Sequence, residues 1–195
     1  IDYVRHIYLF EYDPAWIEAL EATFEPWRDK VTLVKKFVGD ADDDKNVRLD
    51  TFFKDKSTER LFIKMDIEGA ECMALSGAVR LFRNAEGLEF AVCTYHRKND
   101  LSDISAFLDS CDCRYFPRDK YIYAVVTLWP ERQMNTPEAQ ISALPGRQMK
   151  RQKMNAKEKE IDRIKQLLGR KGCKIVIVTH KNPDGDAIGS SLGLY

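Results

Sequence analysis

The sequence lacks a surplus of charge of either sign: 31 lysines and arginines balance 31 aspartates and glutamates over 195 residues. A surface for nucleic acid or an anionic membrane needs a basic excess, so this balance argues against both partners. No apolar run approaches the roughly 20 residues of a membrane-spanning helix. No signal peptide opens the chain, and no cysteine pair has the spacing of a zinc site or a disulfide framework. The five cysteines (Cys72, Cys93, Cys111, Cys113, Cys173) therefore read as reduced, mostly buried thiols of a cytoplasmic protein. An initiating methionine is lacking too. What is present is 44% hydrophobic and 32% charged residues, the composition of a chain that buries a core under a charged surface rather than staying disordered.

The first two-thirds alternate strand and helix. "HIYLFEYD" is an apolar strand ending in acids, followed by a helix that Asp13 is placed to cap, with Pro14 at its first position. Ile17, Leu20 and Phe24 recur at helical spacing. "VTLVKKFVGD" reads as a second strand and "LFIKMDI" as a third. The third runs into one helix, "EGAECMALSGAVRLFRN", with Ala70, Met73, Ala74 and Leu81 as its inward stripe. "LEFAVCTYH" is a fourth strand. "LSDISAFLDSCD" is a helix capped by Ser102, with Ile104, Phe107, Leu108 and Cys111 on one face. "KYIYAVVTLW" closes the set as an edge strand or hairpin member. This alternation predicts an α/β fold with a parallel sheet covered by helices on both faces. From 129 to 153 the texture is that of a linker, rich in proline and polar residues. Helical spacing resumes at Ile161, Ile164, Leu167 and Leu168, and "CKIVIVTH" is a fresh buried strand.

In open parallel sheets ligands bind beyond the carboxyl ends of the strands. Glu11, Asp13, Asp40, Asp66, Glu68 and His96 each fall at or just past such an end. Capping and helix-dipole roles explain Asp13 and Glu68 equally well from spacing alone, and His96 reads equally as a general base or as a structural histidine.

The wording of "YLFEYDPAWIEAL", "VTLVKKFVGD", "VRLDTFF", "AVCTYHRKNDLSDISAFL" and above all "LFIKMDIEGAECMALSGA", in that order, resembles the FkbM family of S-adenosylmethionine-dependent methyltransferases, over about Tyr8 to Val125. The resemblance implies a Rossmann-like class I methyltransferase fold over residues 1–128, and methyl transfer to an oxygen nucleophile of a small molecule or sugar. It implies cofactor contacts from Glu11, with Asp13 beside it, to the ribose, and from Val38, Gly39 and Asp40 near the adenine. Asp66 would face the methionine end or the acceptor, and Asp66, Glu68 and His96 would be the catalytic set. Family members open with a strand and a glycine-rich turn. Here the sequence starts at the equivalent of the second strand, so the sheet is expected to lack its first strand.

The stretch "IVIVTHKNPDGDAIGSSLGLY" resembles the first motif of the DHH phosphoesterases, over about Met154 to Tyr195. That likeness implies His180, Asp184 and Asp186 as manganese ligands, in the helix–strand start of a second α/β domain. A full-length enzyme of that type acts on an oligonucleotide or nucleotide. The chain then reads as a fragment, a methyltransferase without its start joined to a phosphoesterase without its remainder, with Met154 as the natural beginning of the second. A manganese-dependent phosphoesterase and a non-catalytic remnant are the alternative functions. A further arrangement is that "CKIVIVTH" slots into the gap left by the absent first strand.

Overall fold

A computed structural model of the chain describes residues 4–127 and 172–178. Nine strands and five α-helices appear in it. In chain order they are β1 (Val4–Phe10), α1 (Pro14–Phe24), β2 (Val31–Val34), β3 (Phe37–Val38), β4 (Asn46–Val47), α2 (Leu49–Phe52), β5 (Leu61–Met65), α3 (Glu71–Ser76), α4 (Val79–Asn84), β6 (Gly87–Cys93), α5 (Asp100–Ser110), β7 (Arg114–Arg118), β8 (Tyr121–Thr127) and β9 (Cys173–Val178). Seven strands form one sheet in the order β2-β1-β9-β5-β6-β8-β7, and β3 and β4 pair separately. The first five are mutually parallel, and β8 and β7 close the far side as an antiparallel hairpin.

The sheet's central position is not empty. β9 lies between β1 and β5, parallel to both, with Ile7↔Ile175↔Phe62 and Tyr8↔Val176↔Ile63 in register. This corrects the expectation of a sheet without its first strand: the last described strand takes that place. All six of its residues are buried, as a strand covered on both faces requires. Val176 and Val178 join the larger core with Phe10, Ile63, Met65 and Leu75. Cys173, Ile175 and Ile177 point the other way, to Ile7, Leu9 and Phe24 on the side covered by α1. Period-two alternation thus places one strand in two cores at once. The polar members are accommodated at its entrance, where Lys174 donates from Nζ to the Ser57 carbonyl and from its backbone N–H to the Arg60 carbonyl.

Several local expectations are met and several are corrected. Asp13 caps α1 by accepting from the Ala15 N–H at 3.0 Å, with Pro14 at the first helical position. The segment 31–40 is two short strands rather than one. The helix expected after β5 is broken into α3 and α4 at Gly77. Glycine is required at the break, since a Cβ on Gly77 would sit 2.0 Å from the Gly39 carbonyl oxygen, and the Asp50 carboxylate starts α4 anew by accepting from the Arg80 and Leu81 N–H groups. Ala74, Leu75, Leu81 and Phe82 point inward, and Met73 lies 40% exposed instead. Ser102 does not cap α5; it lies in the first turn and donates to the Asn99 carbonyl. Of the two roles expected for "KYIYAVVTLW", β8 takes that of hairpin member: β7 covers it on the outside, and Pro117 is accommodated on that outer strand. The cysteines are free, and four of the five are buried. No described helix is long and apolar enough to cross a membrane. The expected linker and the stretch 154–170 expected to be helical lie outside the described residues.

Replacing Ile175 by alanine should lower stability by about 2–5 kcal/mol, the usual cost of truncating a fully buried isoleucine, read as a shifted urea midpoint. A change within about 0.5 kcal/mol, typical of surface sites, would place the strand outside the core.

Candidate active site

The register of the sheet decides where the polar residues go. Phe10, Val178 and Met65 are aligned neighbours, and Val92 aligns with Met65. The residues that follow these strands therefore emerge along one edge. Glu11 and Asp66 flank the end of β9 on either side, and the Asp66 N–H donates to the Val178 carbonyl at 3.3 Å. The backbones that carry them are two strand spacings apart, about 10 Å. Strand order also reverses here, since β1 leads outward to β2 while the next long strand, β5, starts the other half. That reversal opens the crevice in which such sheets bind ligands.

Glu11 is 2% exposed. Its Oε1 accepts the backbone N–H groups of Tyr12 and Asp13 at 2.6 and 2.7 Å, so the turn itself holds the carboxylate. Val38 and Gly39 are buried, and the Gly39 N–H donates to the Val47 carbonyl. Asp40 is exposed on the loop that follows. That loop is organised by Asp42, whose carboxylate accepts from the Arg48 N–H, the Arg48 guanidinium and the Thr51 hydroxyl. These bonds hold its pKa down from 3.8 to about 2, the Arg48 backbone donor first among the causes.

The second carboxylate group is denser. After Asp66 the chain makes a tight turn in which the Ala70 N–H donates to the Ile67 carbonyl, with Glu68 and Gly69 at φ 53° and 89°. Two successive positive φ values are the mark of a mirror-image turn. Glycine suits the second position also because Arg97 packs over it: a Cβ there would lie 2.8 Å from Arg97 Nε. The turn feeds α3, whose first residue, Glu71, is fully buried. Glu71 Oε1 accepts from the Ile67 N–H at 3.0 Å and from His96 Nδ1 at 2.8 Å. An ionised acceptor fixes the proton of a neutral imidazole on Nδ1, which turns Nε2 towards Asp66 Oδ1 at 3.4 Å and Glu68 Oε1 at 3.6 Å. Lys64 pairs with the other oxygen of Asp66 at 3.2 Å.

An aromatic wall borders this group. The Tyr95 ring lies 4.2 Å from the His96 ring and edge-on to Tyr121. Both phenols are pushed well above their ordinary pKa, chiefly by burial, with Asp66 and Cys93 adding to it. Burial, then Asp66, does the same to the Cys93 thiol. These three groups stay protonated near neutrality, which leaves the carboxylates and His96 as the proton acceptors.

The structure thus gathers Asp66, Glu68 and His96 together, sets Glu11 and Asp13 across the end of β9, and leaves Val38, Gly39 and Asp40 on the β3 side. His180, Asp184 and Asp186 lie outside the described residues. Glu71, Lys64, Cys93, Tyr95 and Tyr121 were not singled out from sequence. Glu71 was within reach, as the second glutamate of "KMDIEGAE"; the others depend on which strands become neighbours.

A mostly parallel α/β sheet with buried carboxylates at its central strand ends defines a Rossmann-like protein with its site at the carboxyl edge. The family model for the methyltransferase FkbM domain matches residues 5–115, and the chain belongs to that family. The match does not reach the stretch that resembles the phosphoesterases, and nothing found supports that likeness or a manganese site there. No curated protein and no solved structure matches the chain.

Two substitutions probe this geometry. Because Asp42 titrates below its ordinary value when folded, its contribution is complete above about pH 4 and is lost as pH falls towards 2. Asp42→Asn should therefore be less stable than the wild type at pH 6, and the difference should shrink between pH 4 and 2 in parallel denaturation curves. Gly69→Ala should cost on the order of 1–3 kcal/mol, whereas Glu68→Gly, which relieves a positive φ, should leave the urea midpoint unchanged or slightly raised.

Proposed function

We propose that the chain is an S-adenosylmethionine-dependent methyltransferase acting on a hydroxyl of a small molecule or sugar. The observation that carries this reading is the placement of two buried carboxylates, Glu11 and Asp66, on either side of the central strand's end in a chain of the FkbM family. Placed on the two strands that flank β9, they suit a nucleoside with an extended side chain lying across the end of that strand.

The residues suit that cofactor. Glu11 is held by two backbone donors of its own turn, so its carboxylate is already positioned at the strand end where a ribose diol would be met. Val38, Gly39 and Asp40, at and after β3, are the proposed adenine contacts, with Asp13 next to Glu11. When bound, the cofactor supplies an electrophilic methyl group on sulfur. Asp66, Glu68 and His96 would orient the acceptor hydroxyl and receive its proton as that methyl group is transferred. Such a transfer depends mostly on alignment and exclusion of water, and Tyr95 and Tyr121 supply a wall for both.

Glu11→Gln tests the assignment with little disturbance, since glutamine keeps an oxygen for the Tyr12 and Asp13 N–H groups and turns its other acceptor into a donor. By calorimetry, S-adenosylmethionine should bind the wild type and bind the variant about tenfold or more weakly, as expected for losing a charged hydrogen bond. Equal affinity would remove Glu11 from the cofactor site, and no binding to the wild type would remove the activity.

A further inference from the structure

Three buried polar atoms at this edge lack a hydrogen-bond partner: Asp66 Oδ1, Glu71 Oε2 and His96 Nε2. They belong to three residues whose side chains are 6%, 0% and 5% exposed. Leaving such atoms unpaired is costly, more so if charged, so Asp66 Oδ1 and His96 Nε2, which face each other, call for a shared cause. The His96 ring is held from behind by Glu71 at 2.8 Å, and its outer nitrogen faces Asp66 Oδ1 and Glu68 Oε1 at 3.4 and 3.6 Å. Those distances exceed the 2.7–3.2 Å or so of an N–H···O bond. They are spacings that two ligands of one ion, each at about 2.1 Å, readily have. One ligand atom from each of Asp66, Glu71 and His96 falls within 4.8 Å of the others.

We propose that Asp66 and His96 bind a divalent cation, with Glu71 orienting the imidazole and Glu68 closing the solvent side. A carboxylate behind a ligating histidine is the usual way to fix its tautomer and raise its basicity. Imidazole with carboxylate oxygens, and no ligating thiolate, suits Mn²⁺ or Zn²⁺. The position also gives the ion a use, and here the inference rests on the methyl-transfer reading. An acceptor hydroxyl bound to the cation loses its proton more easily, with Glu68 on the solvent side to receive it; His96 then serves as a ligand and its Nε2 is no longer available as the base.

Mn²⁺ and Zn²⁺ would each be titrated into the metal-free full chain by calorimetry, and Mn²⁺ followed by the loss of its free-ion electron paramagnetic resonance signal. One ion per chain should bind, with affinity falling at least about tenfold in His96→Gln and in Asp66→Asn, and by a similar factor in Glu71→Gln, at urea midpoints that show each variant folded. Glu11→Gln should bind the metal as the wild type does. No binding of either ion to the wild type, or binding untouched by His96→Gln, overturns the proposal; the wild-type result decides it even if a variant fails to fold. Metal binding without S-adenosylmethionine binding would leave the site standing and sink the methyl-transfer reading instead.

Discussion

The arrangement depends on one constraint: β1 and β5 are joined by β9 and by no direct pairing to each other. Each presents a row of N–H and C=O groups towards the central position, and a buried row left unpaired would be prohibitive. The same strand puts Val176 and Val178 into one core and Ile175 and Ile177 into the other. Backbone pairing and burial on both faces therefore act together. The alignment of Phe10, Val178 and Met65 follows from that pairing, and with it the presence of Glu11 and Asp66 on one edge.

Buried carboxylates at that edge are held by different means. Glu11 accepts from two N–H groups of its own turn. Glu71 is held across elements, by Ile67 from the turn and His96 from beyond β6. Asp66 draws on Lys64 from its own strand. Buried charge is stabilised only where such donors are already in place. The rigidity that follows is useful for a site, because groups that need not reorganise stabilise a reacting ligand more effectively. The turn at Glu68 and Gly69 belongs to the same economy of space: its two positive φ values bring α3 close enough for Glu71 to reach the ring.

Legibility in the sequence followed the range of the interaction. Capping of α1 by Asp13 and Pro14, the apolar runs of β1, β5, β6 and β9, and the inward face of α5 at Ile104, Leu108 and Cys111 are local patterns and were readable. The break between α3 and α4 was not, because the groups that meet there, the Gly39 carbonyl against Gly77 and the Asp50 carboxylate on the Arg80 and Leu81 N–H groups, come from distant stretches that no helical period reports. Met73 was misplaced too: it lies 40% exposed, while Ala74 and Leu75 take the inward face of α3. Strand ends rich in acids pointed to Glu11, Asp66, Glu68 and His96. The function of Glu71 as the support of His96 required knowing that β5 and β6 are neighbours. Single-residue chemistry was visible; of the pairings between elements, only the insertion of "CKIVIV" into the central gap was raised by the sequence, and the structure shows it.

The central strand shows the sharpest form of that limit. "CKIVIV" announces a buried strand by composition alone, yet composition does not say in which sheet. Its separation from β8 by about 45 residues favours a unit of its own, whereas the two open strand edges of β1 and β5 favour insertion. Loop closure costs rise only slowly with length, about 0.6 kcal/mol per doubling, while insertion pairs two buried edges and fills two cores. That inequality explains how a strand outside the 5–115 family match comes to sit at the centre of the sheet that the match describes. Family membership and completeness of the sheet are therefore separate properties of this chain, carried by separate stretches of it.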